Sequence, residues 1–175
     1  MFKLETDRLI LRNMSLEDEC AFVAMSQDAK YQRFYDESDC EPSKYRELTQ
    51  LFVTQAVEVP RKSYQLAVES KHSGKFIGTV CLRLEGNRQA SMGCAFSREA
   101  QGTGLSLEAA TVLASFGFSE LGIHRIYAET ISKNLAAIKL CKSLGMKQEA
   151  CFKDHRSFKG KWWDIVVLAV VLSDW

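Results

Sequence analysis

Gln101-Gly102-Thr103-Gly104-Leu105-Ser106 links an apolar, strand-like run, Met92 to Phe96, to an alanine-rich helical pattern, Leu107 to Phe118. Two glycines in four residues allow the main chain to turn tightly and to approach a ligand closely. The helix that follows directs its unpaired N–H groups and the positive end of its dipole at the same point. This stretch therefore predicts an anion-binding loop that suits a pyrophosphate.

Spacing separates three phosphate-binding patterns that this loop matches in part. A nucleoside-triphosphate loop, GxxxxGK(S/T), needs a lysine, and none follows Gly104. A dinucleotide loop, GxGxxG, follows the first strand of a βαβ unit, whereas here position 107 is leucine and a β meander precedes the loop, so the match is weak. The third pattern, (Q/R)xxGx(G/A), binds the pyrophosphate of coenzyme A. It is met at Gln101 and Gly104, with Ser106 as the last small residue.

The composition favours one soluble domain spanning residues 1–175, because 46% hydrophobic content in 175 residues is enough for one continuous core. The 23 basic and 22 acidic residues are well mixed, so we expect no nucleic-acid partner. The N-terminus lacks the apolar core of a signal peptide, and the run Ile165 to Leu172 is too short to span a bilayer. We therefore expect a cytoplasmic protein with no membrane partner.

Cysteine and histidine spacing gives no sign of a disulfide framework or a metal site. The six cysteines form no CxxC pair, which indicates reduced thiols in a cytoplasm. The three histidines share no ligand spacing with them, so we predict no metal. The cysteines are Cys20, Cys40, Cys81, Cys94, Cys141 and Cys151, and the histidines are His72, His124 and His155.

The first half of the chain is predicted to form two helices and a β meander. Leu4 to Arg12 alternates as one edge strand, and a capping box at Ser15 opens a helix through about Met25. A second helix is predicted from Pro42 to Val57. The meander strands are Ser63 to Glu69, Lys75 to Leu84 and Gln89 to Ser97.

The second half changes to a strand–helix–strand crossover. Its helices are predicted at 105–118 and at Asn134 to Leu144, separated by a strand from His124 to Thr130. Strands Met146 to Phe152 and Trp163 to Leu172 complete the chain. The pattern predicts a mixed α+β fold, in which a largely antiparallel mixed sheet of about seven strands carries helices on both faces.

Four further sequence elements occur in an order that is specific to one family. They are Glu5-Thr6-Asp7-Arg8-Leu9-Ile10-Leu11-Arg12, Leu121-Gly122-Ile123-His124-Arg125-Ile126, Asn134 with Leu144-Gly145-Met146, and Phe158-Lys159-Gly160-Lys161-Trp162-Trp163-Asp164. With the glycine loop, they make the chain resemble the GNAT superfamily of acetyl-CoA-dependent N-acetyltransferases, particularly the ribosomal-protein N-terminal acetyltransferases. The resemblance extends over nearly the whole chain and implies a GNAT-like fold with acetyl-CoA as cosubstrate.

The resemblance also implies which residues contact the coenzyme. Main-chain groups of Phe96 and Ser97 would pair with the pantetheine arm, where two neighbouring parallel strands splay apart. Asn134 would fix the pantetheine or the splayed strand by its side-chain amide, and the alternative is a helix N-cap, which needs no ligand. The pyrophosphate would bind main-chain N–H groups of Gln101, Gly102, Thr103, Gly104, Leu105 and Ser106, whose glycines would otherwise form only a tight turn.

The resemblance also bears on the catalytic residues. Many family members place a serine or alanine three residues after this asparagine and a tyrosine seven residues after it, where this chain has Ala137 and Cys141. Cys141 would share a helix face with Asn134, and its thiol, with an ordinary pKa of about 8.5, would protonate the leaving thiolate. Core packing is the alternative for this cysteine.

The acceptor must be a neutral amine when it attacks the thioester. An α-amino group costs about 0.5 kcal/mol to deprotonate at pH 7.4, whereas a lysine amine costs about 4 kcal/mol. Candidate bases acting through water are Glu129 and, in the meander, Glu69 or Glu85, unless they are simply solvated carboxylates.

We therefore predict direct acetyl transfer, without an acyl-enzyme, to a protein N-terminus or a small-molecule amine. The rival hypothesis is a non-catalytic acyl-CoA-binding sensor or interaction module, suggested by the missing hydroxyl groups at Ala137 and Cys141. A monomer and a homodimer are both compatible with the sequence.

Overall fold

One mixed sheet runs through the computed structural model, which describes residues 2–175. The strands are β1 (Lys3–Glu5), β2 (Leu9–Asn13), β3 (Ser63–Ser70), β4 (Phe76–Glu85), β5 (Gln89–Phe96), β6 (Arg125–Ile131), β7 (Lys147–Phe158) and β8 (Lys161–Val171). Their order in the sheet is β1-β2-β3-β4-β5-β6-β8-β7. Each neighbouring pair is antiparallel except β5 and β6, which are parallel. The predicted mixed, largely antiparallel sheet is confirmed, with eight strands.

Helices cover both faces of this sheet, as predicted. They are α1 (Glu19–Ser26), α2 (Pro42–Gln55), α3 (Leu105–Ser119) and α4 (Leu135–Ser143). On β3, Leu66 belongs to the same buried cluster as Leu113 of α3. The next residue, Ala67, belongs to the cluster formed by Phe22 of α1 and Tyr45 of α2. Because adjacent strand residues point to opposite faces, α3 and α4 lie on one side and α1 and α2 on the other.

The first predicted strand is wrong in one respect, because it is broken into β1 and β2. The Thr6 N–H donates to the Leu9 carbonyl at 3.0 Å, and the Leu9 N–H donates to Thr6 Oγ1 at 3.0 Å. These two bonds close a tight turn that makes a hairpin of the segment. The four consecutive polar residues Glu5-Thr6-Asp7-Arg8 interrupt the hydrophobic alternation at this turn, and this interruption marks the break. This division accounts for the extra strand.

The predicted start of the first helix is confirmed in detail. The Ser15 N–H donates to Asp18 Oδ2 at 2.8 Å, as a capping box requires. A short 3₁₀ turn, Leu16–Asp18, precedes α1.

Within the described part of the chain, no helix is long and apolar enough to cross a membrane.

The parallel pair β5 and β6 separates soon after it forms. Register pairs link Gln89–Ser91 to Arg125–Tyr127, and no further pair follows. Beyond them β5 continues to Phe96 and β6 to Ile131, so two strand edges face one another across a gap in the middle of the sheet. The gap is the feature that positions the candidate site.

Candidate active site

A cavity of about 690 Å³ occupies the gap between β5 and β6 and is bordered by helices from both faces of the sheet. Residues of α1 and α2 line it on one face, and residues of α4 line it on the other. The first set includes Phe22, Tyr45 and Phe52, and the second includes Asn134, Ala137 and Cys141. Two molecules that enter from opposite faces would therefore meet within the sheet.

The free edge of β5 offers main-chain groups at alternate residues. The Ser97 N–H donates to the Ile77 carbonyl of β4 at 2.9 Å, and the Ser97 carbonyl accepts from Ala100 at 3.1 Å. Since main-chain groups alternate in direction along an antiparallel strand, those of Phe96 and Cys94 face the gap. The predicted role of Ser97 would need its present bonds to open. Cys94 was missed by the sequence reasoning, although strand alternation from Phe96 points to it.

The glycine loop has the conformation that its sequence predicts. Gly102 has φ +76° and Gly104 has φ +81°, a region in which other residues are strained. Among residues 2–175, no hydrogen-bond acceptor is paired with the main-chain N–H groups of Gly102, Thr103, Gly104 or Ser106. These groups lie at the N-terminus of α3, where the helix dipole favours an anion. The loop is therefore suited to bind a pyrophosphate.

An unexpected set of contacts holds this loop from the first hairpin. Arg8 donates from Nη1 to the Thr103 carbonyl at 3.2 Å and from Nε to Glu108 Oε2 at 2.7 Å. Thr6 Oγ1 also donates to Glu108 Oε1, and the Arg8 N–H donates to the same oxygen at 3.1 Å. Burial opposes ionisation of Glu108, but the bonds from Thr6 and Arg8 outweigh it and lower the pKa of this carboxyl. The Glu5-Thr6-Asp7-Arg8 motif was the available sequence signal for these contacts.

Asn134 is the N-cap of α4 in this structure. Its Oδ1 accepts from the Ala137 N–H at 3.3 Å, so the capping alternative raised by the sequence is realised. Asn134, Ala137 and Cys141 also share the helix face that lines the cavity, as their spacing predicts. An amide that caps a helix still has its NH₂ group to offer a ligand.

Three thiols line the cavity, and all are held in the neutral form. Burial raises the pKa of Cys141 to about 11 and that of Cys94 to about 12. Burial also raises the pKa of Cys81. Because the thiolate is the nucleophilic form, these residues are poor nucleophiles at neutral pH. A neutral thiol remains able to donate a proton.

The three candidate bases are not equivalent in the structure. Glu69 forms an ion pair with Arg12 at 3.0 Å, and Glu85 accepts from the Tyr127 hydroxyl at 2.8 Å. Neither lines the cavity, whereas the exposed Glu129 does, beyond the last β5–β6 register pair. Glu129 is therefore the candidate base that the fold brings to the site.

Several polar residues on the α1 and α2 side of the cavity were not identified from the sequence. The Tyr45 hydroxyl donates to the Tyr31 hydroxyl at 3.0 Å, and burial raises the pKa of Tyr45 to about 12. Gln55 and Gln65 line the same wall. Their positions depend on how the two helices pack on the sheet, which no local pattern shows.

Among the described residues there is no group of three or more metal-ligating side chains.

A comparison with known protein families assigns the chain to one of them. Residues 8–147 match the family model described as an acetyltransferase (GNAT) domain. The chain belongs to the GNAT family. A GNAT relative of this chain, the uncharacterised N-acetyltransferase p20 of Bacillus licheniformis, is 28% identical over 180 residues, which cover 100% of this chain and 99% of p20. The chain is thus an acetyl-CoA-dependent N-acetyltransferase, and the non-catalytic alternative is set aside.

Solved GNAT structures share the whole fold. RimL, a ribosomal L7/L12 alpha-N-protein acetyltransferase in complex with coenzyme A, has a TM-score of 0.86 at 16% identity, covering 99% of each chain. The Vibrio cholerae spermidine N-acetyltransferase, in complex with CoA and spermine, has a TM-score of 0.82 at 20% identity, covering 97% of this chain and 98% of the other. Acetyl-CoA is the cosubstrate of this GNAT chain.

Proposed function

We propose that this GNAT enzyme transfers acetyl directly from acetyl-CoA to a neutral primary amine, without an acyl-enzyme. The acceptor is a protein N-terminal α-amino group or a small-molecule amine. The observation that carries the proposal is the cavity at the β5–β6 gap, which helices border on both faces of the sheet. It gives donor and acceptor separate approaches and one meeting point, which direct transfer in a ternary complex requires.

In this proposal, the donor binds along the α4 side. The pantetheine arm pairs with the main-chain groups of Cys94 and Phe96 that face the gap, and the pyrophosphate binds the loop 101–106. Gln101 Nε2 now donates to the Phe96 carbonyl at 3.2 Å, a contact that the pantetheine would replace. A main-chain N–H at this edge would polarise the thioester carbonyl as charge develops on its oxygen.

The chemical step has a simple proton balance. The amine nitrogen attacks the carbonyl carbon, the carbon–sulfur bond breaks, and the coenzyme leaves as a thiolate. Cys141 donates its thiol proton to that thiolate and later regains a proton from solvent. The neutral state of Cys81, Cys94 and Cys141 supports direct attack, because an acyl-enzyme on any of them would need a thiolate.

The acceptor amine is deprotonated before or during attack. Glu129 takes that proton through water, from its exposed position at the cavity. A single solvated carboxylate is a weak base, so the site suits an amine that is already partly neutral at pH 7. An α-amino group meets this requirement better than a lysine side chain.

The test is acetyl transfer by the purified protein to a panel of short peptides, polyamines and aminoglycosides. Thiol release and product mass are measured together, and we expect turnover with at least one peptide. Acid-quenched protein incubated with acetyl-CoA alone should show no added acetyl mass. No thiol release with any amine, or a stable acetylated protein that forms before the amine is added, would contradict the proposal.

A further inference from the structure

Gln65 is a polar side chain of the sheet that opens only onto the cavity. It lies on β3, is 7% exposed, and lines the cavity. In the described chain, residues 2–175, no hydrogen bond to its side-chain amide is formed. The amide is not among the fully buried side-chain groups that lack a partner, so it is open to the cavity and available to a ligand there.

Strand register places Gln65 on the acceptor side of the cavity, in line with the part of β5 that borders the gap. Register places Gln65 opposite Cys81 of β4, and Cys81 opposite Gly93 of β5, on the face that α1 and α2 cover. With strands about 4.8 Å apart, the Gln65 main chain lies about 10 Å from β5. On this face of the sheet, β5 lines the cavity with the small residues Ser91, Gly93 and Ala95.

The hydrogen-bonding groups of this wall match a peptide group. A primary amide donates two hydrogen bonds and accepts others, so it pairs with the C=O and the N–H of a peptide unit together. A polyamine has only cationic donors and would leave the Gln65 NH₂ group unpaired. Gln55 adds a buried Oε1 that has no partner among the described residues.

Charge on the cavity wall also disfavours a polycation. The exposed Arg83 of β4 lines the cavity, and no ion pair joins it to a carboxylate within residues 2–175. Glu129 supplies negative charge on the β6 side. One cation and one anion suit a peptide better than an acceptor that carries several positive charges.

We propose that Gln65 is a specificity-determining residue, which binds the peptide group next to the acceptor amine and so selects peptide N-termini over polyamines. This inference rests on the proposed acetyl transfer to an amine. It goes further by naming the substrate class and the side chain that recognises it.

The test compares three acceptors on the wild type and on Gln65→Met, which keeps the side-chain length but removes the amide. The acceptors are an alanine tripeptide, the same tripeptide with its first amide replaced by an ester, and spermidine. We expect the wild type to prefer the tripeptide. Gln65→Met should lower kcat/KM for the tripeptide roughly tenfold or more, with changes below about twofold for spermidine and for the KM of acetyl-CoA.

Two controls separate recognition from folding. Gln50→Met on the exposed side of α2 should change none of these constants. The midpoint of thermal unfolding of Gln65→Met should stay the same or rise, because no hydrogen bond within the chain is lost.

The outcomes separate this inference from the function on which it rests. Three results would overturn the role of Gln65 while leaving acetyl transfer intact. In Gln65→Met, kcat/KM falls equally for all three acceptors, or it does not fall for the tripeptide. Alternatively, the wild type prefers spermidine to the tripeptide. No turnover with any amine would overturn both.

Discussion

Arg8 donates a hydrogen bond to the main-chain carbonyl of Thr103 at 3.2 Å, across 95 positions of sequence. The C=O and N–H of one trans peptide unit point in opposite directions, so this bond turns the Gly104 N–H away from Arg8. The same guanidinium is held by Glu108 of α3. The first hairpin therefore fixes the direction of the N–H groups in the anion-binding loop.

Replacing Arg8 should weaken binding of the coenzyme through its pyrophosphate. We expect Arg8→Ala to raise the dissociation constant of acetyl-CoA by about tenfold, the size of one lost charge-assisted hydrogen bond. S-acetylpantetheine lacks the pyrophosphate, and its KM should change little. Calorimetry with coenzyme A and kinetics with both donors would measure the difference.

The matched control is Arg46→Ala, which removes an exposed guanidinium that lies 3.9 Å from Glu19. It should leave both donors unaffected, because exposed ion pairs contribute little. If Arg8→Ala impairs the use of acetyl-CoA and of S-acetylpantetheine equally, the contact between Arg8 and Thr103 stabilises the fold and has no separate effect on the loop.

Gly104→Ala should reduce coenzyme affinity by straining the loop. Gly104 has φ +81°, and an added Cβ would lie 3.5 Å from Arg8 Nη2. A residue other than glycine in this conformation costs about 1–2 kcal/mol. Gly160→Ala carries the same penalty at φ +70° in the β7–β8 turn, with open space around it. Both variants should lose similar stability on thermal unfolding, but Gly104→Ala alone should bind coenzyme A more weakly.

Cys141→Ala should lower kcat by about 10²-fold if the thiol protonates the leaving group. Burial raises the pKa of Cys141 to about 11, so the acid form persists through neutral pH and is lost as the pH rises towards that value. The kcat of the wild type should therefore fall at the alkaline end of its pH profile, and Cys141→Ala should lack that fall. If Cys141→Ala and Cys141→Ser both keep the wild-type profile, the thiol is not the acid.

Asp18→Asn should destabilise the protein in a manner that depends on pH. Burial opposes ionisation of Asp18, but Arg12, with Nη1 2.8 Å from Oδ2, and Ser15 outweigh it and lower the pKa of the carboxyl. A lowered pKa stabilises the fold above the ordinary value of about 3.9 and ceases to do so as the pH falls through the folded value. We expect a loss of about 1–3 kcal/mol in the free energy of unfolding at pH 7.

The same difference should shrink as the pH falls below about 4 and wild-type Asp18 also becomes neutral, because the lowered pKa keeps it charged down to more acidic pH than a free carboxyl. Urea titrations at several pH values would measure it. Asp174→Asn, at an exposed carboxylate 3.1 Å from Lys147, is the control and should cost little at any pH. A loss for Asp18→Asn that is independent of pH would point to packing and not to charge.

The predictions of secondary structure that succeeded depend on local sequence patterns. The helix at Leu105–Ser119, the meander and the capping box at Ser15 depend on residues within a few positions of one another, and the structure has them nearly as predicted. The single strand from Leu4 to Arg12 was wrong because the bonds between Thr6 and Leu9 close a turn, at the point where the polar run Glu5 to Arg8 interrupts the hydrophobic alternation.

Local sequence was enough to predict the order of strands and helices along the chain, the glycine loop before α3 and the family motifs, because each depends on periodicity or on residue types close together in the chain. Tertiary structure decided which main-chain groups of β5 face the gap, since that depends on the hydrogen bond between Ser97 and Ile77 of the neighbouring strand. It also brought Arg8 to Thr103 and placed Gln65 at the cavity. These contacts join segments that are far apart in sequence. Their energies depend on how deeply the side chains are buried and on how their hydrogen bonds are directed, and both are set only when the chain has folded.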